Sequence, residues 1–304
     1  MQKVLAIVGP TAVGKTALSI QLAQQFDGEI ISGDSMQVYR HLDIGTAKVT
    51  PTEMAGVPHH LINIRDVDER YSAANFVTDA TGLIDQISAR GRLPIIVGGT
   101  GFYLQALLNN LTLGGDDEDQ RVRKQLNTQA KRVGNQQMWE HLNQVDPAAA
   151  ANIPVNNVRR VIRALEVYQK TGHRFSDQPQ LATRQYDACL VGLNAERALV
   201  YERINHRVDL MMAAGLLDEA RWLLERGGDT IPAGKGIGYR ELFPYLTGAI
   251  DLPTAVAKIK QDSRHYAKRQ LTWFRNKMDV HWFNLLQHPT ELTAVQKTVT
   301  EWLY

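Results

Sequence analysis

A glycine-rich stretch near the start of the chain, residues 9–16, has the spacing of a phosphate-binding loop, G-x-x-x-x-G-K-T. The glycines let successive backbone N–H groups point at one anion, and the helix that follows adds the positive end of its dipole. Lys15 can reach a terminal phosphate, and the Thr16 hydroxyl is placed to ligate Mg²⁺. We therefore expect a nucleotide- or ATP-type loop that binds a diphosphate or triphosphate. Its residues are Gly9, Pro10, Thr11, Ala12, Val13, Gly14, Lys15 and Thr16.

A carboxylate, Asp34, is the second group that could do chemistry. It follows residues 29–32, whose apolar character predicts a short parallel strand. Ligands of open α/β sheets bind at the carboxyl ends of the strands, so Asp34 should face the phosphate loop. The alternative is that this carboxylate only caps the turn at the end of its strand.

A second glycine turn, residues 98–101, follows the buried-type strand predicted at 93–97. In phosphate-loop ATPases such a strand usually ends in an aspartate that holds the water shell of Mg²⁺, and here glycines stand in its place. Either Asp34 and Thr16 manage the metal, or the chemistry is not nucleotide hydrolysis.

The hydrophobic pattern supplies the elements that position these groups. An apolar run at 4–8 precedes the phosphate loop and a helical pattern at 17–23 follows it. Helical patterns dominate after residue 113, and strand character returns at 186–193. We predict an α/β fold with a phosphate-loop parallel-sheet core and an inserted all-helical domain. The core with its C-terminal helices would comprise residues 1–112 and 185–304, the insertion residues 113–184, and an acidic joint would lie at 114–119.

Two helical segments carry clustered bases. The helix predicted at 157–171, with Asn156 as its N-cap and Gly172 as its stop, has Arg159, Arg160 and Arg163 near its N-terminal end. Cations there oppose the helix dipole, which favours an anionic partner over a solvated face. The last long helix interleaves bases with aromatic residues, a pattern typical of contact with a nucleic-acid backbone. Its residues are Lys258, Lys260, Arg264, Tyr266, Lys268, Arg269, Trp273, Phe274, Arg275 and Lys277, with Asp262 as the nearby acid.

Composition excludes several classes of protein. With 44% hydrophobic and 22% charged residues, the 304-residue chain is an ordinary globular protein. A single cysteine, Cys189, excludes an intramolecular disulfide framework and a cysteine-rich zinc module. No apolar run approaches the ~18 residues of a membrane span, and the chain enters the phosphate-loop strand directly. We expect a cytoplasmic protein without membrane contact. His59 and His60 are adjacent on an extended segment, where side chains alternate, so we interpret them as structural.

Six motifs, in order along nearly the whole chain, resemble the bacterial tRNA dimethylallyltransferase family. They are GPTAVGKT at 9–16, GDSMQVY at 33–39, PHHL at 58–61, VGGTGFYL at 97–104, RRVIRALEVY at 159–168 and KRQLTWFR at 268–275. The resemblance implies transfer of a dimethylallyl group from dimethylallyl diphosphate to N6 of adenosine 37 in tRNA. The implied partners are the anticodon stem-loop of tRNA and the prenyl donor, with Mg²⁺ as cofactor, and we expect a monomer.

The resemblance also assigns roles to residues at matching positions. It implies that the phosphate loop and Arg207 bind the diphosphate, that Asp34 is the general base and that Thr100 lies at the reacting centre. The positions that it implies for tRNA contact are Asp34, Ser35, Met36, Gln37, Thr100, Arg123, Arg159, Arg160, Val161, Ile162 and Arg163. Two positions depart from the family pattern: Gly33 stands where alanine is commoner, and Asn63 where aspartate is usual.

Two other functions stay open at this level. A phosphate-loop kinase of a nucleoside or small metabolite would share the logic of the first hundred residues, but it gives no reason for the basic helices. A non-catalytic RNA-binding module would leave the phosphate loop and Asp34 without a role.

Overall fold

The computed structural model of the protein describes residues 1–111, 113, 121–177 and 184–304. The strands are β1 (Lys3–Val8), β2 (Gly28–Ser32), β3 (His59–His60), β4 (Leu93–Val97), β5 (Asp187–Leu193) and β6 (His281–Phe283). The α-helices are α1 (Lys15–Gln25), α2 (Pro51–Met54), α3 (Ala73–Ala89), α4 (Gly101–Leu108), α5 (Arg121–Val145), α6 (Pro147–Asn152), α7 (Val158–Thr171), α8 (Arg197–Ala213), α9 (Leu216–Leu224), α10 (Phe243–Leu246), α11 (Leu252–Lys277) and α12 (Leu292–Leu303).

The six strands form one parallel sheet in the order β3-β2-β4-β1-β5-β6. Because all strands run the same way, β1, β2 and β4 end at the same edge of the sheet. Val97 at the end of β4 pairs with Ile7 of β1 on one side and with Ser32 of β2 on the other. The phosphate loop, Asp34 and Thr100 each follow one of these three strand ends.

Helices cover both faces of the sheet, and β1 shows how its side chains divide between them. Val4, Ala6 and Val8 point into a core shared with α3, α4, α9 and α11, whereas Leu5 and Ile7 point into a core shared with α1 and α12. All five side chains are fully buried, as the two-residue period of a strand covered on both faces requires.

The chain divides into two compact units, Met1–Asn110 with Thr183–Tyr304, and Leu111–Ala182. The first holds the sheet. In the second, α5, α6 and α7 pack around a separate apolar core that includes Leu126, Met138 and Leu165. Gly134 interrupts α5 with a left-handed backbone (φ 82°), so that the segment consists of two helices joined by a kink.

The architecture confirms the predicted fold class, a parallel-sheet α/β core that carries a phosphate loop. One predicted detail is wrong: Asn157, not Asn156, is the N-cap of α7, since its side chain accepts from the N–H of Arg160. The predicted acidic joint at 114–119 lies outside the described residues. Among the residues that the structure describes, no helix is both long enough and apolar enough to cross a membrane.

Candidate active site

The phosphate loop curls between the end of β1 and the first turn of α1. Gly9 has a φ of 139°, and a side chain there would overlap the carbonyl of Leu193 at the end of β5. Only glycine therefore lets the loop approach the neighbouring strand so closely. Gly14, at the N-cap of α1, is left-handed with a φ of 101°. The first turn of α1 thus presents backbone N–H groups at the sheet edge, where they can receive an anion.

Lys15 lies folded over this loop, donating to the carbonyl oxygens of Gly9 at 3.0 Å and Pro10 at 2.7 Å. Burial and the nearby charge of Arg207 lower the pKa of Lys15 to about 7, although Asp34 acts in the opposite direction. An ammonium group in such surroundings lacks a sufficient counter-charge. A bound diphosphate would supply that charge and stabilise the protonated form.

Helix α8 adds two arginines to the loop. Arg207 Nη1 donates to the Thr11 hydroxyl at 3.4 Å, and Arg203 Nε donates to the carbonyl of Ala12 at 2.9 Å. The pKa of Arg207 is lowered by burial, although the nearby charge of Asp34 acts in the opposite direction. The i, i+4 spacing puts both guanidinium groups on the face of α8 that meets the loop. The structure thus brings Arg207 to the predicted diphosphate site and adds Arg203, which the sequence analysis did not assign.

Asp34 lies at the carboxyl end of β2 and faces the same space as the phosphate loop. Its Oδ1 accepts from the N–H of Met36 at 2.8 Å. Gln37 is fixed at both ends of its amide: Oε1 accepts from the Ser32 hydroxyl at 2.8 Å, and Nε2 donates to the Thr46 carbonyl at 3.2 Å. Met36 packs against the core of the first unit instead of lining the cleft.

Thr100 connects the ends of β4 and β2. Its Oγ1 accepts from the N–H of Ser35 at 3.2 Å and lies 3.5 Å from the Ser35 hydroxyl. The N–H of Thr100 in turn donates to the carbonyl of Gly33 at 3.4 Å. Residues 34–37 and Thr100, which were predicted to contact tRNA, therefore lie next to each other at the edge of the sheet and are linked by hydrogen bonds.

Two side chains of α11, Tyr266 and Gln270, complete the site and were missed from the sequence. Gln270 is 5% exposed and contacts both the phosphate loop and the second glycine turn. Tyr266 lines the cleft beside Gln270, and burial together with the charge of Asp34 raises the pKa of its hydroxyl to about 12. A signal was present in the sequence: Gln270 falls on the buried stripe of α11 with Ala267 and Phe274, where a polar residue needs partners.

The phosphate loop, Asp34 and the side chains from α8 and α11 line a cleft of about 660 Å³ in the first unit, whereas Thr100 and Ser35 are not among the residues that line it. That size is typical of a site for a small ligand. The functional groups on its walls are Thr11, Lys15, Thr16, Asp34, Gln37, Arg203, His206, Arg207, Tyr266 and Gln270. His59 also lines it, whereas the adjacent His60 binds Glu29 at 2.7 Å. A cationic wall therefore faces a carboxylate across one cleft.

The donor set of the cleft fits Mg²⁺ better than a transition metal. The described residues contain no cluster of three or more histidines, cysteines or carboxylates that could hold a metal ion by themselves. Mg²⁺ typically keeps several waters and uses one or two protein oxygens together with substrate phosphates. The exposed hydroxyl of Thr16 at the start of α1 meets that requirement.

In the second unit a buried carboxylate, Glu166, organises the basic residues. Arg123 Nη2 lies 2.5 Å and Arg163 Nη1 2.9 Å from Glu166 Oε2, and Lys170 lies 3.2 Å from Oε1. Burial alone would raise the pKa of Glu166, but the hydrogen bonds from Arg163 and Arg123 outweigh burial and hold it below the ordinary value. Arg123 and Arg163 thus help to hold the fold of this unit.

The other predicted tRNA contacts of α7 divide by exposure. Val161 and Ile162 are 0% and 5% exposed and belong to the core of the second unit, so their side chains are not available to a partner. Arg159 and Arg160 are exposed. Among the residues of α7 that were predicted to contact tRNA, Arg159 and Arg160 are therefore the exposed ones that a partner could reach.

The basic face predicted on α11 is also partly used within the fold. Lys260 lies 2.6 Å from Asp209, and Arg264 donates to Asn205 at 2.6 Å, both on α8. Lys260 and Arg264 therefore have partners within the fold, because this part of α11 packs against α8. Beyond them, a shallow groove of about 530 Å³ is lined by His265, Lys268, Arg269, Thr272, Trp273, Asn276 and Lys277.

The chain matches the model of the IPP transferase family over residues 37–277. It belongs to the IPP transferase family. The predicted resemblance is thereby confirmed, and the match spans both compact units of this IPP transferase.

Related proteins match the whole of this IPP transferase. The tRNA dimethylallyltransferase of Limosilactobacillus reuteri (strain DSM 20016) is 60% identical over 306 residues, with 100% of this chain and 99% of the relative covered. The protein of that name from Enterococcus faecalis is 55% identical, with 100% and 98% covered. The crystal structure of the full-length tRNA isopentenylpyrophosphate transferase from Bacillus halodurans is 46% identical, with a TM-score of 0.76 and coverage of 100% and 97%. A eukaryotic dimethylallyltransferase acting on tRNA is 32% identical, with a TM-score of 0.84 and coverage of 98% and 78%.

Proposed function

We propose that this protein transfers a dimethylallyl group from dimethylallyl diphosphate to N6 of adenosine 37 in tRNA and releases diphosphate. The observation that carries the proposal is the arrangement of the cleft, in which a phosphate loop with its cations faces the carboxylate of Asp34. The names of its relatives agree with this activity.

The phosphate loop would bind the diphosphate of the donor. As the allylic C–O bond breaks, negative charge develops on the leaving diphosphate. Lys15, Arg207 and the first residues of α1 line the cleft, where they can stabilise the charge that develops in the transition state. Mg²⁺, held by Thr16 and the diphosphate, would supply further neutralisation of the leaving group.

Asp34 would act on the acceptor. The exocyclic amine of adenine is a weak nucleophile and loses a proton as it forms the new C–N bond to the allylic carbon. A carboxylate within hydrogen-bond reach can take that proton, and one oxygen of Asp34 is engaged by Met36 while the second is available. Because a stacked base cannot enter such a cleft, adenosine 37 must be flipped out of the anticodon loop.

The surrounding phosphates of the anticodon stem-loop need cations. Arg159 and Arg160 on α7, and Lys268, Arg269 and Lys277 beside the groove of α11, are exposed bases suited to this role. Trp273 and the 43%-exposed Phe102, which meet edge to face with centroids 6.1 Å apart, offer aromatic surface at that groove. We place the activity in the cytoplasm, with the substrate tRNA, and expect the monomer to be sufficient.

The experiment that tests this function follows two labels. Unmodified tRNA is incubated with the protein and either prenyl-labelled dimethylallyl diphosphate or γ-labelled ATP. The proposal requires prenyl label in tRNA, at the N6-substituted nucleoside after digestion, and no transfer from ATP. Label moving from ATP to a small acceptor would indicate a kinase, and binding of tRNA without any transfer would indicate an RNA-binding module.

A further inference from the structure

One side chain of α11, Gln270, contacts two strand-end loops that both line the cleft. Its Oε1 accepts from the N–H of Thr11 in the phosphate loop at 2.9 Å, and its Nε2 donates to the carbonyl of Gly99 at 3.1 Å. An N–H needs an acceptor and a carbonyl needs a donor, so one orientation of the amide satisfies both. The side chain is therefore fixed at both ends.

The contact continues toward the acceptor side of the cleft. Gly99 precedes Thr100, whose hydroxyl accepts from the N–H of Ser35, the residue after Asp34. Three hydrogen bonds, together with the peptide bond between Gly99 and Thr100, thus connect the loop proposed to bind the donor to the turn that carries the proposed base. A side chain at Gly99 would overlap Nε2 of Gln270, so glycine is required for this connection.

We propose that Gln270 couples the donor and acceptor sites, so that occupation of either one strengthens binding at the other. This inference rests on the proposed function. A diphosphate bound to the phosphate loop would restrict the motion of that loop, and Gln270, bonded to both loops, would extend the restriction to the turn at 99–100 beside the adenosine. The second ligand then loses less conformational entropy on binding, because the first ligand has already restricted the protein. Coupling of this kind is reciprocal.

Gln270 is a positioning residue in this scheme, because it acts through Thr11 and Gly99 rather than on the reacting atoms. Tyr266, one helical turn earlier, lines the same cleft beside Gln270. If the role of Gln270 were only structural, its substitution would change the stability of the protein. If Gln270 couples the two sites, its substitution changes the factor by which one ligand alters the affinity for the other.

The test measures tRNA affinity with and without an unreactive thio-analogue of dimethylallyl diphosphate, and analogue affinity with and without tRNA. For the wild type we expect both ratios of Kd to be equal and on the order of tenfold, within the usual range of coupling between sites. Gln270→Leu should bring the ratio close to one, with smaller changes in each affinity measured alone. Gln261→Leu, an exposed glutamine on the same helix, is the matched control and should keep the wild-type ratio.

Two results would overturn the proposal. A wild-type ratio of one overturns it, as does a folded Gln270→Leu variant that keeps the wild-type ratio. If Gln270→Leu does not fold, Gln270→Met, which keeps the length of the side chain without its hydrogen bonds, is measured in its place. Prenyl transfer by the same wild-type preparation is measured in parallel. Its absence would contradict the proposed function, whereas transfer without coupling would contradict only the role of Gln270.

Discussion

The carboxylate of Asp34 accepts a hydrogen bond from the backbone N–H of Met36 at 2.8 Å through one of its two oxygens. Asp34 therefore caps the turn after β2 and still offers a second oxygen to the cleft. Asparagine can keep the cap with its amide oxygen but cannot take a proton. The two roles that the sequence left open for this residue, turn cap and general base, can thus be separated by a single substitution.

Lys15→Ala should lower kcat/KM for the prenyl donor by roughly 10- to 100-fold, the loss expected for a hydrogen bond to a charged group of about 1.5–3 kcal/mol. The cause is removal of the ammonium that lies over the phosphate loop. Steady-state kinetics with varied dimethylallyl diphosphate measure the effect. Lys297→Ala, an exposed lysine of α12, serves as the control. A wild-type kcat/KM in Lys15→Ala would show that the loop does not bind the diphosphate.

Thr16→Ala should raise the Mg²⁺ concentration that gives the half-maximal transfer rate, because the hydroxyl proposed to ligate the ion is lost. Thr16→Ser keeps a hydroxyl at the same place and should behave like the wild type. A Mg²⁺ titration of the transfer rate compares the three proteins. Identical half-saturation in wild type and Thr16→Ala would remove Thr16 from the metal site.

The elements that local sequence defines were predicted well. The strand, loop and helix around the phosphate loop, and the position of Asp34 at a strand end, depend on residues within one short segment. Gln270 could not be placed at the phosphate loop because 259 residues separate it from Thr11. Only the packing of α11 against the sheet brings the two together. No local pattern records such a contact.

The basic helices show that the sequence also does not reveal which charged side chains have partners within the fold. Seen along the sequence, Lys260, Arg163 and Arg160 are equivalent cations. In the structure Lys260 pairs with Asp209 and Arg163 with Glu166, while Arg160 is exposed. Partners from other elements decide which base is free to meet an anion, and helical spacing alone cannot identify those partners.

Arg160→Ala should weaken tRNA binding and reduce the slope of log K against log salt by about one unit, as expected for one lost phosphate contact. Affinity for the donor should not change. Arg132→Ala, an exposed arginine of α5 outside the predicted contact stretch, loses the same charge and is the matched control. If both variants show the wild-type slope, Arg160 is simply a solvated residue.

Acid should lower the stability of the second unit because it protonates Glu166. Because hydrogen bonds with Arg163 and Arg123 hold the pKa of this carboxyl below its unfolded value, its contribution is present above the ordinary glutamate range and is lost as pH falls through the folded pKa. Glu166→Gln should lower the free energy of unfolding at pH 7 by about 1–3 kcal/mol. It should also flatten the dependence of stability on pH below about 4.5.

Urea unfolding of the full-length protein at several pH values between neutral and acid checks this expectation. Glu140→Gln, an exposed glutamate on α5, provides the control and should follow the wild-type pH dependence. If Glu166→Gln loses stability with acid as steeply as the wild type, the buried ion cluster does not control the acid response.

The most direct test of the proposed mechanism is the single-turnover transfer rate of Asp34→Asn across a Mg²⁺ titration, with tRNA affinity and stability measured alongside. We predict a rate lower by roughly 10²- to 10⁴-fold, the usual contribution of a general base. Stability should stay close to wild type because the cap to Met36 is kept, tRNA affinity should change little, and added metal should not restore the rate. A rate within a few-fold of wild type, or one rescued by Mg²⁺, would contradict the role of Asp34 as the base.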